Sequence, residues 1–118
     1  MLFKEYFYFI SEFNESEILT INKKINIIYR NYKTPPNEDI VKETLHVCKK
    51  VGKKLFLSNN IRLAFKLKLD GVYIPSFNKS KNLQFRAKNN FRVLGSAHNL
   101  KEIKIKEKQG VDTIFIAP

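Results

Sequence analysis

Arg30, Ser96 and His98 are the residues of this chain whose type and place best suit them to do chemistry. Arg30 closes the run Ile25–Tyr32 (INIIYRNY), which reads as a strand buried through Ile25, Ile27 and Ile28. A guanidinium at the end of a buried strand needs either an anionic ligand or a carboxylate partner, and Glu5 and Glu43 are candidates for the second. Ser96 and His98 follow another short strand, Phe91–Gly95. A hydroxyl there can donate to an anion, and an imidazole suits proton transfer near neutral pH. The alternative is that both merely flank Asn99, which reads as the cap of the next helix, with Glu102 three residues on. Ser58, Asn59 and Asn60 are open to two readings as well, as helix caps or as ligand contacts. His46 falls in mid-helix and Cys48 reads as a core residue.

Residues at strand ends matter only if a scaffold brings the ends together. The stretch Lys54–Pro75 shows which scaffold this is. Leu55-Phe56-Leu57 is a short apolar run, Ser58-Asn59-Asn60 can cap a helix, and Ile61 to Leu69 carry apolar bulk through a helix of about ten residues. Asp70-Gly71 then reads as a helix stop and Val72-Tyr73-Ile74 as a second strand. Strand, capped helix, stop and strand form a βαβ unit, the building block of parallel sheets.

The remaining chain repeats this unit. Leu2–Ile10 reads as a first strand rather than a signal peptide, because a basic leader and a small-residue cleavage site are both missing. A short helix with Ile18, Leu19 and Ile21 on its apolar side is expected after Asn14 or Ser16. Asn37 should cap a helix to Val51, facing inward through Ile40, Val41, Leu45 and Cys48, with Glu38 and Asp39 at its positive end. A short helix over Leu83–Asn89 and a last strand over Val111–Ile116 complete the pattern. The expected helix stops at Gly52, Gly71, Asn90 and Gly110 lie 19, 19 and 20 residues apart. That tight period is the spacing of a TIM barrel. The fold class is therefore α/β, a (β/α)8 TIM-barrel type left incomplete. About six parallel strands with outer helices form one domain over residues 1–118, about two βα units short of closure.

Composition bounds the function. Hydrophobic residues are 43% and aromatics 13%, enough for a folded core. No apolar run reaches the roughly 18 residues of a membrane span, so no membrane partner is expected. The single cysteine permits no internal disulfide and points to a reducing cytoplasm. A net charge of +11 raises the question of nucleic acid, but the lysines are scattered and no groove-reading motif or aromatic RNA platform is visible. The charge reads as general surface chemistry with a bias towards phosphate-bearing ligands.

Several motifs carry a resemblance. SNNIRLAFKLKLDGVYIP (58–75) resembles the segment that usually reads NDRVDLAL…GADGVHLG in thiamine phosphate synthases and their thiazole tautomerase (TenI-like) relatives. RVLGSAHNLKEIKIKEKQGVDTIFIAP (92–118) is similar to their GVSAHSLEEA…GADYIGLGP, while YFI and IIYRNY match their first strand and their QYREK strand. The resemblance runs through the whole chain in one order and covers its first six βα units.

The resemblance implies a barrel with its site at the C-terminal strand ends. It also implies a synthase that joins a pyrimidine diphosphate to a thiazole phosphate with magnesium, or a tautomerase. Arg30 matches the arginine of QYREK, with Ile28 in place of the glutamine and Tyr32 in place of the lysine. Ser58 and Asn59 take the positions of an asparagine and a metal-binding aspartate, and Asn78 takes that of the second metal carboxylate. Neutral amides are poor magnesium ligands, so no cofactor and no metal ligand is expected, and magnesium belongs to the synthase branch. His98 is implied as the catalytic group, and Arg30, Ser58, Asn59 and Ser96 as substrate-binding residues around a phosphorylated small molecule. The alternatives are a non-catalytic relative that binds such a ligand, and a basic nucleic-acid-binding module. The apolar edge of the sixth strand, Thr113–Ile116, further suggests self-association through exposed strand edges.

Overall fold

Side-chain alternation divides each strand of this protein into two apolar sets, and the two sets bury on opposite sides of one sheet. The computed structural model describes residues 4–83 and 90–117. Its strands are β1 (Tyr6–Ile10), β2 (Ile25–Tyr29), β3 (Leu55–Ser58), β4 (Gly71–Ile74), β5 (Arg92–Ala97) and β6 (Thr113–Ile116). Its helices are α1 (Glu15–Thr20), α2 (Glu38–Lys50), α3 (Ile61–Lys66) and α4 (Leu100–Gln109). The six strands pair in chain order, every pair parallel. Each connection is a crossover, and the helices lie between strands on one side.

On that helical side Ile27, Tyr29, Leu55, Leu57, Val72, Ile74 and Val93 meet Ile18, Val41, Val47, Cys48 and Ala64. On the other side Ile28, Phe56, Tyr73 and Leu94 close against Phe7 and Phe115. The rings of Phe7 on β1 and Phe115 on β6 lie 5.3 Å apart, edge to face. In a flat sheet those two strands would be roughly 24 Å apart, at about 4.8 Å per pairing. The sheet is therefore curled into a half-barrel with an aromatic interior. This is the incomplete barrel that the 20-residue period implies.

Asparagine starts every described helix. Asn14, Asn37, Asn60 and Asn99 each accept the backbone N–H three residues on, at 2.9–3.1 Å. The stops differ from expectation in one place. Gly52, Asn90 and Gly110 take positive φ, but the left-handed residue after α3 is Lys68, and α3 is shorter than the sequence suggests. Gly71 opens β4 instead, for a steric reason: a Cβ there would lie 2.0 Å from the Arg92 carbonyl oxygen on β5. The preceding Asp70 accepts the Leu55 N–H at 2.8 Å, and Asp112 does the same for Val93. These aspartates anchor neighbouring strand starts, so β6 begins at Thr113, after Asp112, rather than at Val111.

α2 is also turned relative to its expected face. Val41, Thr44, Val47 and Cys48 are buried while Ile40 is half-exposed. Thr44 can be buried because its hydroxyl donates to the Ile40 carbonyl at 2.8 Å, inside its own helix. In α1 Ile18 is buried and Leu19 faces solvent. The expected helix over Leu83–Asn89 lies, beyond Leu83, outside the described residues, as does the start of the expected first strand.

Candidate functional site

Parallel strands place all their C-terminal ends on one rim, and alternation decides which side chains turn inward there. Arg30 follows β2 with the parity of the inward Ile28, and its N–H donates to the Ile10 carbonyl at 2.8 Å. Its guanidinium lies 3.9 Å over the Phe9 ring, a cation–π contact. Among the described residues no carboxylate pairs with Arg30: Glu5 bonds Arg92 at the opposite end of the barrel instead, where Asp112 and Thr113 also hold that guanidinium. Arg30 thus keeps its forked donors while its charge is partly satisfied by a ring face.

Ser58 ends β3 on the same inward side and shares a 3.0 Å hydrogen bond with the Tyr32 hydroxyl. Burial pushes the Tyr32 hydroxyl above its ordinary value of 10.0, so it stays a protonated donor or acceptor. Tyr32 in turn meets Phe77 edge to face at 4.9 Å. These residues, with Asn59, Asn60 and Arg62, line a cleft of about 650 Å³ between the loops after β2 and β3. The structure thus gathers Ser58 and Asn59 into one cleft. Arg30, Ser96 and His98 are not among its lining residues.

β5 runs on past the expected end at Gly95 to Ala97, so Ser96 lies within it with inward parity, and its Oγ accepts the Ser76 N–H at 3.1 Å, pinning the loop after β4. The His98 ring and its backbone N–H both engage one oxygen of Glu102, at 3.1 and 2.8 Å. The backbone bond first, and then the ring, hold the Glu102 carboxyl below its ordinary value of 4.5. The expected capping pattern is therefore present, with the glutamate reaching back one residue further than Asn99. The ring of His98 remains half-exposed with its second nitrogen outside the Glu102 contact.

The residues at the implied metal positions do not fit a magnesium ion. The Asn59 Oδ1 accepts from the Asn78 Nδ2 at 2.6 Å, so the two amides satisfy each other. Among the described residues no three His, Cys, Asp or Glu side chains are grouped to hold a metal. No described helix is long and apolar enough to cross a membrane.

Sequence reasoning missed Tyr32, Phe77 and Arg62 as cleft residues. Tyr32-x-x-Pro35-Pro36 carried the signal, an aromatic beside a stiff turn after a buried strand. Lys106 and Gln109, which hold the backbone of Asn78, carried none, since a lysine in a lysine-rich helix looks solvated.

Three relatives share the pattern. A protein of Aquifex aeolicus assigned provisionally as thiamine-phosphate synthase 2 is 32% identical over 79 residues, 67% of this chain and 42% of its own length. The thiamine-phosphate synthases of Bacillus velezensis and Bacillus licheniformis are 32% and 34% identical, over 65% and 61% of this chain and 34% and 32% of theirs. The chain thus spans between about a third and two fifths of the length of these relatives. The family model described as thiamine monophosphate synthase matches residues 16–118. That match covers most of the chain, and the chain belongs to the thiamine monophosphate synthase family.

Proposed function

We propose that this chain serves thiamine biosynthesis in the cytoplasm by binding a phosphorylated thiazole or pyrimidine at its C-terminal rim. The observation that carries the reading is Arg30: an inward guanidinium at the rim, seated on Phe9, with no carboxylate partner among the described residues. Such a group has donors to spend on a phosphate. Ser58, Tyr32, Asn60 and Arg62 add polar contacts in the neighbouring cleft. Transferase chemistry with a diphosphate needs strong neutralisation of the leaving group, and amides in place of carboxylates supply no metal for it. Binding without magnesium-dependent transfer is therefore the activity assigned to this chain by itself.

Calorimetric titration with 4-methyl-5-hydroxyethylthiazole phosphate tests this, with the unphosphorylated alcohol as control. The phosphate ester should bind and the alcohol should not. Arg30→Ala should weaken binding by roughly 1.5–3 kcal/mol, the scale of a lost charge-assisted hydrogen bond. Equal binding of ester and alcohol, or an unaffected Arg30→Ala variant, would refute the anion site. Thiamine phosphate formation at an ordinary enzymatic rate with magnesium would refute the absence of transferase activity.

A second reading, tautomerase-type proton transfer, is favoured by the His98–Glu102 contact. A carboxylate that accepts from Nδ1–H leaves Nε2 as the free basic nitrogen that can take up and return a proton. Interconversion of thiazole phosphate carboxylate tautomers that falls at least about a hundredfold in His98→Asn would support it.

A further inference from the structure

We propose that the hydrogen bond between the Asn59 and Asn78 side-chain amides takes the place of a divalent cation in joining the β3 and β4 rims, so that this site receives its ligand without a metal. The inference rests on reading the rim as a ligand site, but the bonds that carry it stand on their own. Asn59 follows β3 with a left-handed backbone (φ 66°), and its N–H donates to the Tyr73 carbonyl at 2.8 Å. Its Oδ1 accepts from the Asn78 Nδ2 at 2.6 Å. The direction of that bond is fixed from the other side of Asn78, whose Oδ1 accepts the Ser80 N–H at 3.1 Å and so leaves the Nδ2 facing Asn59.

The backbone of Asn78 is held as firmly. Its carbonyl accepts from the Lys106 Nζ at 2.8 Å and from the Gln109 Nε2 at 2.9 Å. Gln109 also accepts from the Lys106 Nζ and donates to the Ser80 carbonyl. Lys106 is fully buried and fixed in place by the two bonds it donates. The connection therefore runs from α4 through Asn78 to Asn59 at the wall of the cleft.

Magnesium asks for several hard oxygen ligands, carboxylates above all. Here each side-chain oxygen of the pair is already an acceptor, and neither residue offers a carboxylate. A metal entering between Asn59 and Asn78 would have to break their hydrogen bond and find only neutral amide oxygens there. The chemical class of ligand follows. A diphosphate that depends on a divalent cation is a poor match, whereas a phosphate monoester held by protein donors, Arg62 in the cleft and Arg30 on the rim next to it, suits the site.

The test uses the full chain, with melting temperature in the presence and absence of magnesium, and manganese binding read by electron paramagnetic resonance. The wild type should show no magnesium-dependent shift and no bound manganese. Asn59→Asp/Asn78→Asp removes both amide donors of the pair and sets two carboxylates face to face. It should melt several degrees lower without metal, recover with millimolar magnesium, and bind one manganese ion. A wild type that binds manganese, with the binding lost in Asn59→Ala, overturns the proposal. So does a double variant that neither loses stability nor responds to magnesium. If the double variant fails to fold, the single variants decide. Asn59→Asp keeps the Asn78 donor facing an acceptor and should melt close to wild type, while Asn59→Gly removes the bond without straining the left-handed backbone and should melt lower. Equal melting of the two overturns the role of this hydrogen bond. None of these readouts uses thiazole phosphate, so failure of the ligand reading would leave them unaffected.

Discussion

Two arginines facing the barrel interior show how the same side chain can be structural or available. Arg92 at the floor spends its donors on Glu5, Asp112 and Thr113. Arg30 at the rim rests on Phe9 and keeps its donors. Cys48 illustrates the opposite extreme, a reactive type made inert. It is fully buried, and desolvation pushes its thiol from 9.0 up to about 11. Two units is about a hundredfold less thiolate at a given pH. Cys48 should therefore stay unlabelled by a thiol-disulfide reagent at pH 8 in the native chain and react fully once urea unfolds it. Prompt labelling of the native chain would contradict its burial. Glu102 gives a pH dependence of known sign. Its carboxyl is held below 4.5 by the His98 N–H and ring, so the folded state favours the carboxylate. The stability it contributes is present above the ordinary carboxyl value and is lost as pH falls below it. The melting difference between wild type and Glu102→Ala should shrink from pH 6 to pH 3, and a difference that grows on acidification would reverse the assignment.

At the scale of elements, glycine positions separate two kinds of constraint. Gly52 has φ +68° and open space around it, so Gly52→Ala meets only backbone strain, about 1–2 kcal/mol. Gly71 has an ordinary φ, but its missing Cβ makes room for the Arg92 carbonyl, and Gly71→Ala must push β4 from β5. It should cost more than about 3 kcal/mol, beyond the usual range for overpacking, as read by urea unfolding. If the two variants prove equally stable, the close approach is not what Gly71 is for. The same pair shows what the sequence could and could not say. Both glycines stood where a helix should end, and the alternation of strand and helix they marked was correct because strands and helices recur whichever residue turns the chain. Which glycine serves a turn and which serves a contact depends on the neighbouring strand, and local pattern does not contain it. The rim followed the same rule. Arg30, Ser58 and Ser96 were legible as strand-end residues, because alternation sets their inward side. The partners that decide their state, Phe9, Tyr32 and Ser76, come from other units and became visible only with the fold.

At the scale of the whole molecule, the curled sheet has two edges unpaired among the described residues, β1 and β6. Apolar side chains stand at both: Tyr6 is 52% exposed, Tyr8 41% and Ile116 71%. Free backbone groups beside exposed apolar side chains form a template for another strand, and the partner expected for this chain alone in solution is a second copy. Opposing that, each copy carries a net charge of +11, and like charges repel over a Debye length of about 10 Å at 0.1 M salt. The two effects respond oppositely to ionic strength. Raising salt screens the repulsion and leaves the apolar contact and the strand hydrogen bonds nearly unchanged, so association should strengthen as salt rises. Light scattering at micromolar concentration should show a mass above 13.9 kDa that grows between roughly 0.05 and 0.5 M salt. Ile116→Lys puts a charge on the β6 edge and should shift the population to monomer without lowering the melting temperature, since Ile116 packs little in the isolated chain. A well-folded monomer at both salt concentrations would show that these edges are protected within one copy, and association that weakens with salt would mean that charge, not the apolar edge, holds the copies together.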